Sequence, residues 1–266
     1  MPHLFAPHTR YRRDRRFRAI AAASDGVVVN SKDTARDVSK FLHVDASRIL
    51  AMPFTPYAMP WWFDADPAVI EKRYDISGPY LLVCNHFWKH KDHATALRAF
   101  ALMKEDSKWS NLRLVLTGDP IDHRDPAHYG RLLDLARSLQ INADVKYLGL
   151  IPKRDQLALL RGCEALLQPT LFEGGPGGGS VYEAVGLGVR TVVSDIPVNR
   201  EIDCGNISFF AAGDHRSLAT AAAEMIATPH ERPQRDELLW LGDQRLKHLA
   251  RTIVTYLDGC RARDDV

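Results

Sequence analysis

Residues 172–184, Phe-Glu-Gly-Gly-Pro-Gly-Gly-Gly-Ser-Val-Tyr-Glu-Ala, set a glycine run between two carboxylates, Glu173 and Glu183, where a helical pattern begins. Glycines such as Gly177, Gly178 and Gly179 let backbone N–H groups approach an anion closely. A helix starting near Ser180 adds unpaired amides and the positive end of its dipole. Carboxylates accept hydrogen bonds, so Glu173 and Glu183 suit sugar hydroxyls on either side of that anion. A second cationic element, Cys-Asn-His-Phe-Trp-Lys-His-Lys-Asp-His at 84–93, carries Lys89 and Lys91 between an apolar run and a helical one. Two anion-binding edges on one domain need a ligand of diphosphate size.

Short apolar, β-branched-rich runs at 26–29, 48–52, 80–84, 112–117, 145–148, 165–168, 190–194 and 207–210 predict buried parallel strands. Amphipathic stretches at 32–42, 92–105, 127–139, 153–161, 180–187 and 215–227 predict the helices between them. This alternation implies right-handed crossovers and a doubly wound α/β fold, whose ligands bind at the carboxyl ends of the strands. Both candidate anion loops fall at such ends. Residues 1–52 hold one arginine-rich helix, a strand, a helix and a strand, which makes a partial N-terminal lobe. Residues 53–77, with Pro53, Pro56, Pro60 and Pro67, read as a linker. A complete domain follows at 78–232, and the amphipathic stretch within 233–266 could close its core or cross back to the first lobe.

Composition narrows the function classes. The 266 residues are 45% hydrophobic and 26% charged, enough for a full core, and the net charge of +2 calls for no nucleic-acid partner. Cys84, Cys163, Cys204 and Cys260 lie far apart with no secretory leader before them, which predicts reduced thiols in a cytoplasmic protein. No apolar run approaches the ~20 residues that span a bilayer.

From about residue 20 onward the chain resembles the retaining nucleotide-sugar glycosyltransferases of the GT-B fold, the group 1 class. The resemblance is carried by 25–35, by 80–100, by Leu114-Val-Leu-Thr-Gly-Asp119, by Val145-Lys-Tyr-Leu-Gly-Leu-Ile-Pro152, by 164–183 and by Thr191-Val-Val-Ser-Asp195. It implies a Rossmann-like donor domain preceded by part of a second such lobe. It also implies hexose transfer from a nucleoside-diphosphate sugar to a glycan or lipid-linked acceptor, with anomeric retention and no metal or other cofactor. By resemblance Glu173 contacts the hexose, Glu183 the ribose and Lys91 the diphosphate, while Gly149 and Leu150 belong to the loop beside the base. Where the family spaces its glutamates Glu-x7-Glu, nine residues intervene here. His86 stands where the family has an arginine, so that a protonated imidazole or Lys89 would have to supply the charge.

Other readings compete at each position. Ser180-Val-Tyr-Glu183 also fits a capping box, Asp119 a plain turn residue, and His86, His90 and His93 solvated side chains rather than metal ligands. Asp64-Ala-Asp66 matches the Asp-x-Asp pattern of metal-dependent transferases but lies in the proline-rich stretch. The cluster Arg10, Arg12, Arg13, Arg15, Arg16 and Arg18, with Tyr11 and Phe17, is a candidate for peripheral contact with anionic lipid, the alternative being a solvated helix face. Two further functions stay open: a nucleotide-sugar-binding protein that does not itself transfer, and a hydrolase using the glutamate pair.

Overall fold

The computed structural model describes residues 7–264. The arginine-rich segment forms α1 (Pro7–Ala22), exposed along almost its whole length, and β1 (Val27–Val29), α2 (Lys32–Leu42) and β2 (Ile49–Ala51) follow. β1 and β2 pair in parallel as a two-stranded sheet, Val27 opposite Ile49. Ser31 caps α2 by accepting the Thr34 N–H, and its own burial fixes where that helix starts.

The proline-rich stretch 53–77 connects the two units but is not a free linker. Within it α3 (Pro67–Arg73) forms, with Asp66 as N-cap and proline in its first turn, and buries Ile70. Ala58 and Ala65 are also buried, Phe54 packs on Tyr182 with ring centroids 4.4 Å apart, and Trp61 stays 45% exposed. Apolar residues between the prolines give this stretch surface to bury, which is why it lies against the domain.

The second unit runs β3 (Tyr80–Cys84), α4 (His93–Lys104), β4 (Arg113–Thr117), α5 (His128–Ser138), β5 (Val145–Gly149), α6 (Lys153–Gly162) and β6 (Ala165–Gln168). It continues with α7 (Gly178–Gly186), β7 (Thr191–Ser194), β8 (Ile207–Phe210) and α8 (His215–Ala227). All six strands are parallel, in the order β5-β4-β3-β6-β7-β8. The apolar core on one sheet face takes residues from α4, α5 and α8, and that on the other from α3, α6 and α7. Leu81, Leu82 and Val83 of central β3 are fully buried. The order reverses between β3 and β6, so a crevice opens beyond their carboxyl ends.

A last helix, α9 (Arg235–Asp264), begins against the second unit and ends on the first. Arg245 donates to the Pro56 carbonyl at 3.1 Å, and farther along Tyr256 Oη lies 2.7 Å from the Arg48 carbonyl.

Candidate functional site

A buried amide side chain stands at the crevice end of each central strand, Asn85 just after β3 and Gln168 as the last residue of β6. Asn85 Nδ2 donates to Gln168 Oε1 at 2.7 Å, and Gln168 Nε2 in turn donates to Glu173 Oε1 and to the Gly177 carbonyl, each at 2.9 Å. Ser180 Oγ completes the set at 3.4 Å from Gln168 Oε1. Gln168 thus joins the first loop, the glutamate and the glycine turn. Lys91 arrives from a 3-10 turn, Lys89–Lys91, and its ammonium pairs with Glu173 where both side chains are about 10% exposed, 12% and 10%. Asp92, at φ 49°, ends that turn and caps α4 through the Thr95 N–H.

The glycine turn requires glycine at its hinge. Gly177 sits at φ +65°, and a Cβ there would lie 2.5 Å from the Val181 side chain. α7 begins at Gly178, two residues before the expected start. The first-turn amides of a helix have no intrahelical partner, and Gly179 and Ser180 of this turn line the cleft. Glu183, one turn on, accepts from Lys153 Nζ at 2.7 Å on one oxygen and from Gln156 Nε2 at 3.1 Å on the other. It does not reach back to the helix start, so the capping-box reading fails; the N-cap is Gly177, with no side-chain cap.

Asn85, Lys91, Ser180 and Glu183 line one open cleft of about 410 Å³ together with His86 and Leu150, whereas Gln168, Glu173 and Gly177 are not part of its lining. Lys91 and Glu183 therefore face the same space. His86 Nδ1 accepts the Asp119 N–H at 3.0 Å, which leaves its Nε2–H as the donor toward a ligand. Asp119 also accepts the Ile121 N–H at 2.9 Å, a turn residue's role. Cys84 lines the cleft as a neutral thiol, its pKa pushed well up by burial.

Not every expected residue converges. Lys89 borders a different groove, between α4 and α5, with Arg98 and Arg131. In a turn of three residues, side chains two apart leave on different faces, so Lys89 and Lys91 cannot both point into the cleft. The Gly177 N–H is spent on Asn199 Oδ1 at 2.8 Å and is not offered to a ligand. Gly178 serves by its lack of a side chain, since a Cβ there would stand 3.2 Å from the Glu173 carboxylate. Gly149 supports the loop from behind, its carbonyl accepting from the Gly118 N–H and Thr117 Oγ1, both at 2.9 Å, while Leu150 reaches the cleft 73% exposed.

His86 is exposed, as expected of a solvated side chain, but His90 is half-buried and His93 is buried. His93 is fully buried, stacked on Phe87 at 4.4 Å, and burial with the nearby His128 lowers its pKa to about 3. Burial and Lys91 lower His90 to about 4. Among the described residues no group of three or more His, Cys, Asp or Glu is placed to hold a metal ion. Asp66 is occupied as the cap of α3.

Gln168, Asn85, Lys153, Gln156 and Asn199 were not legible as site residues. Their pairings across the site span 22 to 83 positions, as in Asn85–Gln168, Gln156–Glu183 and Gly177–Asn199, and only Gln168 has site partners nearby, Glu173 and Gly177. The one available signal was a glutamine ending the otherwise apolar strand 165–168.

The parallel order, the reversal between β3 and β6 and the glycine-edged cleft at that point define a doubly wound α/β domain with an anion-suited site. Residues 71–237, more than half of the 266, match the glycosyl transferases group 1 family, and the chain belongs to that family. A mannosylfructose-phosphate synthase of Agrobacterium fabrum (strain C58) is 22% identical over 131 residues, 49% of this chain and 28% of that protein. Among solved structures, sucrose-phosphate synthase from Thermosynechococcus elongatus superposes with a TM-score of 0.69 at 19% identity, covering 96% of this chain and 61% of that one. Anabaena Alr3699/HepE in complex with UDP gives a TM-score of 0.71 at 15% identity, covering 89% and 64%. The chain thus spans less than two thirds of these relatives, and likeness at such identities shows the GT-B-like fold.

Proposed function

We propose that the chain transfers a hexose from a nucleoside-diphosphate sugar to a glycan or lipid-linked acceptor, with retention at the anomeric carbon. The observation that carries this reading is that Lys91, the first turn of α7 and Glu183 line one cleft. Lys91 has three N–H donors and spends one on Glu173, so two remain for a diphosphate. With the amides at Gly179 and Ser180 and the helix dipole, it would stabilise the charge that builds on the departing nucleoside diphosphate. No step in this scheme runs through a metal. Each oxygen of Glu183 keeps a lone pair after its bond to Lys153 or Gln156, enough for the two hydroxyls of a ribose. Glu173, fixed by Lys91 and Gln168, would orient the hexose.

The test is thermal stabilisation by UDP, GDP, ADP and CMP and their sugars, since a ligand that binds only the native state raises apparent stability by mass action. One nucleotide should stand apart. UDP is the first to try, because the Anabaena neighbour was solved with it. Equal, negligible shifts across the panel would contradict the proposal. A second reading, donor binding without transfer, is favoured by the two-stranded sheet of the first unit. Incubation with a radiolabelled donor and acceptor mixture separates the two by whether labelled sugar moves.

The same reading places the enzyme in the cytoplasm with α1 against anionic lipid. Arg12, Arg15 and Arg16 are exposed on that helix, the Arg10 side chain lies outside the described residues, and no described helix is long and apolar enough to cross a membrane.

A further inference from the structure

The short turn Asn199–Glu201 reaches in two directions. Asn199, fully buried, accepts the Gly177 N–H at 2.8 Å and donates to the Ser194 carbonyl at 2.9 Å. Glu201, two residues on, accepts the first-turn amides of α2 in the other unit: Lys32 N–H at 2.7 Å and Asp33 N–H at 2.8 Å. Each carboxylate oxygen takes one amide, and the negative charge meets the positive end of the helix. A parallel tie lies beside it. Thr34 Oγ1 is 3.3 Å from the Gly174 carbonyl, and Asn30 packs so closely on Gly175 that a Cβ there would be 2.7 Å from Asn30 Nδ2. Both ends of the glycine loop therefore lead to α2, Gly174 directly through Thr34, Gly175 through Asn30 just before the helix, and Gly177 through Asn199 and Glu201.

We infer that Glu201 is a positioning residue that couples the docking of α2 to the conformation of the donor loop. It does not line the cleft. With α2 docked, the loop holds the shape that presents its amides to an anion; with α2 released, the loop loosens. Coupling of this kind is reciprocal, so an anion bound at the loop tightens α2 in turn. The inference rests on the donor-site reading above, and its test keeps the two apart.

Site-resolved amide hydrogen exchange on the full chain supplies that test. In unliganded Glu201→Ala, exchange should rise at Lys32 and Asp33 and also across 174–178, by about tenfold, the scale of one lost charge-assisted bond. Glu201→Gln keeps one acceptor and should recover part of that protection, which a merely misfolded variant would not. In the wild type, saturating UDP, GDP or ADP should slow exchange at 174–180 and at Lys32 and Asp33 together; in Glu201→Ala it should slow only the former. Faster exchange confined to Lys32 and Asp33 in Glu201→Ala overturns the coupling. So does nucleotide protection of 174–180 in the wild type without protection of α2, an outcome that leaves the donor site standing. If no nucleoside diphosphate protects 174–180, the donor reading fails, and the unliganded comparison still decides the coupling.

Discussion

The two units hold themselves together by different means. In the second, the central strand residues Leu81, Leu82 and Val83 are fully buried between two layers of helices, whereas in the first Val28 of β1 is 46% exposed and Tyr11 of α1 is 69% exposed. The second unit owes its shape to its own core. The first has two paired strands and takes its support from outside: α9 lies against it through Tyr256, and Glu201 caps α2. The cleft sits on the self-supporting unit, which suits a site whose geometry must be held closely.

Changes to each unit can break that contrast. The largest effect is expected from Gln168→Leu. It strips partners from Asn85, Glu173 and the Gly177 carbonyl, and each buried group left unpaired costs ~1–3 kcal/mol. Stability measured by urea unfolding should fall by about 2–4 kcal/mol for this reason, with donor binding lost; a loss below that of a surface substitution would show that the hub is not structural.

His93 comes next. Its folded pKa of about 3 is depressed from the ordinary 6.5, so between those values the unfolded chain binds more protons and stability falls as pH falls through that window. Between pH 6.5 and 5 the penalty should approach ~2 kcal/mol, one unit being worth about 1.4 kcal/mol. His93→Phe should reduce the slope and leave the part due to His90, whose pKa is lowered to about 4; an unchanged slope in unfolding experiments at pH 5 and 7 would place its origin elsewhere.

Tyr256→Phe sharpens the comparison from the other side. Loss of the bond to the Arg48 carbonyl should cost about 0.5–1.5 kcal/mol locally. Hydrogen exchange should quicken in β1 and β2 while β3 to β8 stay protected. Equal loosening of both sheets would mean that they unfold as one. Smallest of all, reversing Arg12, Arg15 and Arg16 to Glu should change stability by less than ~0.5 kcal/mol, as for exposed positions generally. The same variant should lose partitioning onto vesicles containing phosphatidylserine, and unchanged partitioning would remove the proposed lipid contact.

What the sequence disclosed follows the same division. Strand 80–84 and helix 215–227 are read with their observed bounds because an apolar run and an amphipathic period are local signals, as is a Gly-rich hinge. α3 was hidden by prolines, although Asp66 and Pro67 are themselves a helix-start signal. The burial of His93 was hidden because it lies among lysines in sequence but stacks on Phe87 in space. Glu173 and Lys91 could be named from their loops, but their direct pairing could not, since they are separated by 82 positions. Glu201 carried no signal at all, because its partners lie 168 and 169 positions away.

The most direct measurement is calorimetric titration of the nucleotide sugar that gives the largest thermal shift into the wild type, Lys91→Ala and Glu183→Ala. If one bound molecule spans the cleft, each variant should lose ~1.5–3 kcal/mol of binding free energy, the scale of a charge-assisted hydrogen bond, with the fold intact. Affinities of both variants within twofold of the wild type would contradict the account.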